Sequence, residues 1–189
     1  MIVVLMGGTA SGKDTLQNKI NARYNMPICV SSTTRPMREG EINHVTYHFI
    51  FEEQFNNDLN NNKFIEHRVY NTVYGKWYYG LSKDSINLNI NQIVILDQQG
   101  YYNLINAVGQ NNVIGVYITI PERIRVDRAL NRETKDDKEF YREQYRRLLD
   151  DLFAFEEVEN DANVYKIENI DINKAMKQIE KILINNKIV

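Results

Sequence analysis

The chain has 189 residues, 43% of them apolar, and a formal net charge of −2, so it can bury one sizeable core and offers no broad surface for nucleic acid. No apolar run reaches the length of a membrane span, and the first six residues lack the basic flank of a secretory signal. The single cysteine, Cys29, excludes an internal disulfide, and we expect a cytoplasmic protein that binds neither membranes nor nucleic acid.

The first predicted element is the apolar run IVVLM at 2–6, which is typical of a strand buried on both faces of a parallel sheet. The segment GGTASGKDT at 7–15 separates this strand from a polar-rich helix, the context of a phosphate-binding loop of the form G-x-x-x-x-G-K-[ST]. Gly7, Gly12 and Lys13 supply the close approach and the charge that phosphates require. The alternative is a helix-start turn in which Asp14 is a first-turn charge favoured by the helix dipole.

Asp14 stands where the pattern has the serine or threonine that contacts a metal ion. Its carboxylate could hold Mg²⁺ or its waters, or it could stabilise the helix start while Thr15 supplies the hydroxyl. We favour Thr15, because a carboxylate beside a triphosphate is repelled unless the metal lies between them.

The stretch from 32 to 83 reads as a small inserted lobe with strand character. It contains the alternating run VTYHFI at 45–50 and the aromatic-rich YGKWYYG at 74–80. Arg35 and Arg38 follow hydroxyl side chains and precede Tyr47, which together form a donor-rich cup for a dianionic phosphate. The alternative is a solvated basic turn.

The rest of the chain alternates between strands and helices. The runs at 92–100 and 112–121 look like buried strands, and helical patterns cover 101–108, 122–133 and 138–158. The segment INKAMKQIEKIL at 172–183 predicts an amphipathic closing helix. This alternation indicates an α/β fold.

The segment VSSTTRPMREGEINHVTYHF at 30–49 resembles the monophosphate-binding segment of guanylate kinases, whose pattern is V-S-x-T-T-R-x-x-R-x-G-E-x-x-G-x-x-Y-x-F. It departs from that pattern at His44, where the family prefers glycine. Five further matches extend the resemblance over nearly the whole chain. They are FIEH at 64–67, YYG at 78–80, LDQQG at 96–100, the arginine-rich stretch from Arg125 and VYKIENIDINKAMKQIEKI at 164–182.

The resemblance implies a P-loop kinase core, with a parallel sheet flanked by helices, plus a small inserted monophosphate-binding lobe and a helical lid. It implies a single domain with its core at 1–31, 84–121 and 148–189, the lobe at 32–83 and the lid at 122–147. The implied reaction is ATP-dependent phosphorylation of GMP or dGMP by direct phosphoryl transfer, with Mg²⁺ accompanying ATP. The expected partners are therefore the small molecules ATP and a nucleoside monophosphate.

The implied ATP-binding residues are Gly7, Gly8, Thr9, Ala10, Ser11, Gly12, Lys13, Asp14, Thr15, Arg128 and Asn169, with Asp14 and Thr15 as the Mg²⁺ candidates. The implied GMP-binding residues are Ser31, Arg35, Arg38, Tyr47, Glu66, Tyr79 and Asp97. Glu66 could accept two hydrogens from a guanine edge. Two departures weaken the choice of guanine: Leu81 replaces the usual serine or threonine after Y-Y-G, and the segment between Glu66 and Tyr79 is about four residues longer than the family pattern.

Phosphoryl transfer needs positive charge around the migrating group. We expect Lys13, Arg132, Arg142 and Arg146 to supply it, although Arg147 competes with the last two and Glu133 replaces a family glycine beside Arg132. The alternative for each lid arginine is an ion pair one helical turn away.

Two alternatives to a guanylate kinase remain. The first is a nucleoside monophosphate kinase of different base specificity, suggested by Leu81. The second is a non-catalytic guanylate-kinase-like module that binds a partner peptide, although such modules typically lack the phosphate loop that this chain keeps.

Overall fold

The computed structural model describes residues 1–131 and 137–189, which form eight strands and seven α-helices. The strands are β1 (Ile2–Met6), β2 (Ser32–Thr33), β3 (His48–Phe49), β4 (Phe64–Thr72), β5 (Gly75–Ser82), β6 (Gln92–Ile95), β7 (Val113–Thr119) and β8 (Val164–Glu168). The helices are α1 (Lys13–Tyr24), α2 (Glu52–Asn60), α3 (Gln98–Val108), α4 (Glu122–Leu130), α5 (Lys138–Asp150), α6 (Glu156–Asn160) and α7 (Ile172–Asn185). None of the described helices is long and apolar enough to cross a membrane.

The core of the molecule is a parallel sheet of four strands in the order β6-β1-β7-β8. Strand β1 lies inside this sheet, and all five of its residues are buried because strands cover both of its edges and helices cover both of its faces. The prediction of a buried parallel strand at 2–6 is therefore confirmed. Strand β8, which the sequence analysis did not single out as a strand, extends the sheet beside β7.

Helices bury both faces of this sheet. Leu16 and Ile20 of α1 pack with Ile179 and Leu183 of α7 in one apolar cluster. The amphipathic closing helix predicted near the end of the chain is thus confirmed. Residues of α3 form the second cluster on the opposite face, together with Cys29, whose thiol has its pKa raised to about 12 by burial. The α/β class predicted from the sequence is confirmed.

Because the core strands are parallel, their carboxyl ends meet at one edge of the sheet. Strand β1 leads into the phosphate loop, residues 7–12, and β6 leads to Asp97 at the start of α3. Strand β7 leads to α4, and β8 leads to Asn169. This edge is the usual ligand-binding edge of an open α/β sheet.

A second sheet, in the order β3-β2-β5-β4, is built from residues 32–82. Its main part is the hairpin of β4 and β5, in which Arg68 pairs with Tyr79 and Tyr70 pairs with Trp77. One face of the hairpin packs against α2, where Phe55 stacks on Phe64 at 4.6 Å between ring centroids. The opposite face carries the polar side chains described below.

Two predicted elements differ from the structure. The run at 45–50 is a strand only at His48–Phe49, because the amides of Val45 and Thr46 both donate to the carbonyl of Ile42 and form a turn. The helical pattern at 138–158 breaks into α5 and α6, with the break at Asp151. The carboxylate of Asp151 accepts hydrogen bonds from the amide of Thr9 and from Arg125.

Candidate active site

The phosphate loop combines backbone geometry with a lysine folded over it. Gly7 and Gly12 have φ angles of 143° and 91°, in the region that side chains rarely adopt. A Cβ on Gly7 would also lie 2.4 Å from the carbonyl oxygen of Ile118. The Nζ of Lys13 donates to the carbonyl of Gly8 at 2.8 Å and to the hydroxyl of Ser11 at 3.3 Å. These contacts hold the ammonium group at the concave side of the loop.

Two side chains from distant parts of the sequence hold the loop in place. Asn169, which is 2% exposed, donates from Nδ2 to the carbonyl of Ser11 at 2.8 Å. Asp151 accepts a hydrogen bond from the backbone amide of Thr9 at 2.5 Å. The structure therefore places Asn169 beneath the loop rather than on an open surface.

Arg125 is a buried residue of the site that the sequence analysis did not select. Its guanidinium pairs with Glu122 at 2.6 Å and Asp151 at 2.9 Å, and its Nη1 lies 2.9 Å from where a Cβ on Gly8 would be. Through Asp151 it supports the backbone of the phosphate loop. Pattern alone could not identify this group, because 142 positions separate Thr9 from Asp151.

Asp14 and Thr15 lie exposed in the first turn of α1. Neither side chain has a hydrogen-bond partner within residues 1–131 and 137–189, so their oxygens are open to a ligand. The pKa of Tyr47 is raised to about 12, mainly by burial and further by the charge of Asp14. An exposed carboxylate and hydroxyl at this position fit the oxygen ligands that Mg²⁺ prefers.

The second sheet brings together the residues of the predicted phosphate cup, which are Arg35, Arg38, Tyr47 and Tyr79. Arg35 is 4% exposed, and its guanidinium lies over the ring of Tyr47 at 5.1 Å. The rings of Tyr47 and Tyr79 meet edge to face at 5.9 Å between centroids. Alternation along β5 sends Tyr79 to the cup, while the hydroxyl of Tyr78 donates to Glu52 on the other side of the sheet. Ser31 lies next to β2 and accepts the amide of His48 through its carbonyl.

Glu41 fixes the orientation of the cup. Its carboxylate accepts two hydrogen bonds from Arg35, at 2.6 and 2.5 Å, and one from the backbone amide of Arg38 at 2.7 Å. Burial raises the pKa of Glu41, but the hydrogen bonds from Arg35 and Arg38 outweigh it and lower that pKa below its usual range. Arg35 is thereby held rigidly in one orientation.

Positive charge accumulates around Arg38. The pKa of the Arg38 guanidinium is lowered, most strongly by burial and then by the charges of Arg35 and Arg147. Arg147 belongs to α5, the helix whose Glu143 accepts the amide of Val73 at the tip of the β4–β5 hairpin. An anion would relieve the repulsion among these three arginines.

A cluster of charged and hydroxyl groups lies beside the cup, where Arg68 pairs with Tyr79 and the ring of Tyr70 meets that of Tyr79 at 5.6 Å between centroids. Glu66 is 6% exposed, and Asp97 caps the first turn of α3 through the amide of Gly100 at 2.7 Å. The other oxygen of Asp97 accepts from the Nε of Arg68 at 2.9 Å and from the hydroxyl of Tyr70 at 3.0 Å. The sequence analysis missed Arg68 and Tyr70, although alternation along β4 places both on the same face as Glu66.

Leu81 does not open onto this cluster. Its side chain is fully buried among core residues. The Nη2 of Arg68 is buried and has no acceptor among the described residues. Position 81 therefore offers no side-chain hydroxyl to a base, and polar donors in this region come from Arg68.

Burial, with a smaller contribution from Asp97, raises the pKa of Glu66 to about 7 from the ordinary value of 4.5. The protonated form is thus favoured in the fold, so its contribution to stability is complete below about pH 4.5 and is lost as the pH rises through 7. We expect the wild type to lose about 2–3 kcal/mol relative to Glu66→Gln between pH 5 and pH 8. Urea unfolding at both pH values measures this, with the exposed Glu53→Gln as control. Parallel pH dependence of the wild type and Glu66→Gln would contradict it.

Of the residues predicted for the ATP side and the lid, the structure brings only some together. Arg128 donates to the carbonyls of Asn169 at 3.2 Å and Ile170 at 3.3 Å, which brings the two predicted ATP-side residues together. Arg132 lies outside the described residues. Arg142 is largely exposed and pairs with Glu139 at 3.1 Å.

The remaining lid arginines belong to the second half of α5. Arg146 is bound by Glu143 at 2.6 Å and by Asp150 at 2.5 Å. Arg147 makes no ion pair with the described residues and is the lid arginine whose charge reaches Arg38.

Comparison with known proteins gives a consistent result. The family model described as guanylate kinase matches residues 1–186. A guanylate kinase of Legionella pneumophila is 30% identical, over 99% of this chain and 87% of the relative, and one of Wolinella succinogenes is 30% identical, over 97% and 81%. The crystal structure of a guanylate kinase from Anaplasma phagocytophilum has a TM-score of 0.74 and 25% identity, and the match covers 100% of this chain and 87% of that one.

Proposed function

The chain belongs to the guanylate kinase family and is a nucleoside monophosphate kinase, and from this premise we propose which of its residues bind each substrate. ATP binds with its phosphates on residues 7–15 and its adenosine toward Arg128, and GMP or dGMP binds with its phosphate in the cup of Arg35, Arg38, Tyr47 and Tyr79. The single observation that carries this proposal is the cup itself, in which the guanidinium of Arg35 is bound by Glu41 at 2.6 Å and lies over the ring of Tyr47 at 5.1 Å. Together with the phosphate loop, over which Lys13 folds, it supports one anion site for each substrate.

Phosphoryl transfer in this arrangement depends on positioning and charge. Lys13 binds the phosphates of the donor, and the cup binds the phosphate of the acceptor, so the attacking oxygen and the γ-phosphate are held in line. The lid arginines reduce the charge that develops on the migrating group and exclude water when α5 closes. The charge interaction of Arg147 with Arg38 supports Arg147 as the lid residue nearest the acceptor phosphate, with Arg146 beside it.

Mg²⁺ is proposed as the cofactor that accompanies ATP, and when bound it would offset the negative charge of the phosphates. Thr15 and Asp14 are the residues that would hold it or its waters. Their exposed oxygens at the start of α1 support this assignment. We also propose a cytoplasmic location, which suits an enzyme of nucleotide metabolism.

Recognition of the base is assigned to Glu66. Its ionised carboxylate can accept the N1 hydrogen and one hydrogen of the 2-amino group of guanine, a pair of donors that adenine does not offer on that edge. A kinase of different base specificity remains the second candidate, because the fully buried Leu81 contributes no side-chain donor for the guanine oxygen.

The test of the function is ADP release in a coupled assay with ATP, Mg²⁺ and a panel of GMP, dGMP, AMP, CMP and dTMP. We expect stimulation by GMP and dGMP at least about a hundredfold above that by AMP, since a mismatched polar edge leaves Glu66 unpaired. Stimulation by another monophosphate in place of GMP would overturn the base assignment and leave the kinase activity intact.

The metal assignment gives a separate prediction. We expect Thr15→Val to raise the Mg²⁺ concentration needed for half-maximal activity about tenfold, whereas Asp14→Ser changes it less than about threefold. Activity titrated with Mg²⁺ at saturating ATP and GMP measures both. If Asp14→Ser raised the required Mg²⁺ concentration strongly and Thr15→Val left it unchanged, the metal would be assigned to the carboxylate of Asp14.

A further inference from the structure

The β4–β5 hairpin reaches across to the lid helix α5. The amide of Val73, at the hairpin tip, donates to Oε2 of Glu143 at 3.2 Å. Next to it, Tyr74 stacks on Trp77 at 5.7 Å between ring centroids. The pKa of Tyr74 is raised by burial and then by the charges of Asp137, Glu139 and Glu143. The tip therefore lies against the first half of α5.

The contact depends on the length of the hairpin. The segment between Glu66 and Tyr79 is about four residues longer than the family pattern, and the strands pair without interruption out to Thr72 and Gly75. The extra residues carry the tip beyond the Tyr70–Trp77 pair. Without them the hairpin would end before Val73, the residue that meets α5.

Glu143 is the residue of α5 that receives the tip. It is 3% exposed, and its carboxylate accepts from Nε of Arg146 at 3.0 Å and from Nη2 at 2.6 Å, in addition to the amide of Val73. A buried carboxylate is costly unless its oxygens are paired, and here one group binds both the lid arginine and the lobe. Hydrogen bonding to Glu143 also raises the pKa of the Arg146 guanidinium.

A force that opposes this contact acts on the same helix. Arg147 is four residues after Glu143, on the same side of α5, and its charge repels that of Arg38 in the phosphate cup. Without an anion between them, this repulsion pushes the lid away from the lobe. The Glu143 contact is the described polar link that joins α5 to the hairpin tip and resists that push.

We propose that Glu143 is a positioning residue that ties the lid helix to the hairpin tip and thereby holds Arg146 and Arg147 over the acceptor phosphate. The lobe and the lid then close together, because the longer hairpin links them. This inference rests on the proposed assignment of the cup and the lid arginines to the reaction. Glu143 itself touches neither substrate; it acts through the two arginines.

Three variants test the proposal. Glu143→Ala removes all three accepted bonds, and Glu143→Gln keeps one acceptor oxygen but loses the charge. The third shortens the hairpin by deleting 72–75 and replacing Lys76 with glycine, which leaves an Asn-Gly turn that suits a two-residue hairpin loop. The control is Glu53→Gln, which changes an exposed glutamate on α2. Circular dichroism and thermal melting establish that each variant is folded.

We expect Glu143→Ala and the shortened hairpin each to lower kcat for GMP-dependent ADP release about thirtyfold and to change KM for ATP less than about twofold. The kcat of Glu143→Gln should lie between the kcat of these two variants and that of the wild type, and Glu53→Gln should match the wild type. The combination of Glu143→Ala with the shortened hairpin should lose no more than either alone, because both remove the same contact.

Contrary results are equally clear. An unchanged kcat in Glu143→Gln and in the shortened hairpin overturns the proposal even if Glu143→Ala fails to fold. Losses that multiply in the combined variant indicate two separate structural effects and also overturn it. A wild type without GMP-dependent ADP release contradicts the proposed function instead, so the two failures are distinguishable.

Discussion

Replacing Lys13 with alanine is expected to lower kcat for ADP release at least about a thousandfold. The ammonium group lies within 2.8 Å of the carbonyl of Gly8 and 3.3 Å of the hydroxyl of Ser11, on the concave side of the phosphate loop. A positive charge at this place stabilises the phosphate oxygens most strongly as charge moves toward the leaving group. Its loss should therefore affect the transition state more than the binding of ATP.

The measurement is steady-state ADP release with saturating GMP, paired with calorimetry of ATP binding. Lys19→Ala is the matched control, because Lys19 is an exposed lysine on the same helix. We expect ATP affinity in Lys13→Ala to fall about tenfold, much less than kcat. A variant that retains more than a tenth of the wild-type kcat would contradict the assignment of Lys13 to the reaction.

Replacing Arg35 with alanine is expected to lower kcat/KM for GMP about a thousandfold, mostly through KM. Arg35 is 4% exposed and is oriented by Glu41 and by the ring of Tyr47, so its guanidinium loses little freedom when a phosphate binds. Charge-assisted hydrogen bonds to a dianion contribute roughly 1.5–3 kcal/mol each. Arg35→Lys should recover only part of the loss, because a point charge cannot reproduce the planar fork.

Kinetics with GMP varied at saturating ATP measure this effect, and KM for ATP should change less than about threefold because the cup lies apart from the phosphate loop. Arg23→Ala is the control. Arg23 is an exposed arginine that pairs with Glu180 at 2.7 Å on the far side of α1. Equal losses in Arg35→Ala and Arg23→Ala would mean that arginine removal acts through general stability. A rise in KM for ATP with no change in KM for GMP would mean that the acceptor phosphate does not bind at Arg35.

Contiguous segments of the site were open to prediction from the sequence. The phosphate loop needs only a buried strand, glycines at two left-handed positions and a lysine at the helix start, and all of these lie within 2–15. Arg35, Arg38 and Tyr47 could also be selected from the sequence, because they lie close together along the chain. The choice of Tyr79 rather than Tyr78 for the cup also agrees with strand alternation, because neighbouring side chains of β5 point to opposite faces.

Long-range contacts were not open to prediction. Asp151 meets Thr9 across 142 positions, and Val73 meets Glu143 across 70. No periodicity of the chain encodes such a pair, since each depends on how whole elements pack. The choice among the arginines of α5 stays a prediction for the same reason, because the helix pattern cannot tell which of them approaches Arg38.

By itself, the sequence determined the fold class and the family, and it predicted the residues of two phosphate sites, because these depend on local patterns of apolar residues, glycines and charges. Tertiary structure alone decided how those sites are supported. It buried Asn169 under the loop, set Arg125 and Asp151 behind it, raised the pKa of Glu66 to about 7 and brought the hairpin tip to Glu143. Burial and electrostatic neighbours are properties of the packed molecule, so they arise only when distant segments meet.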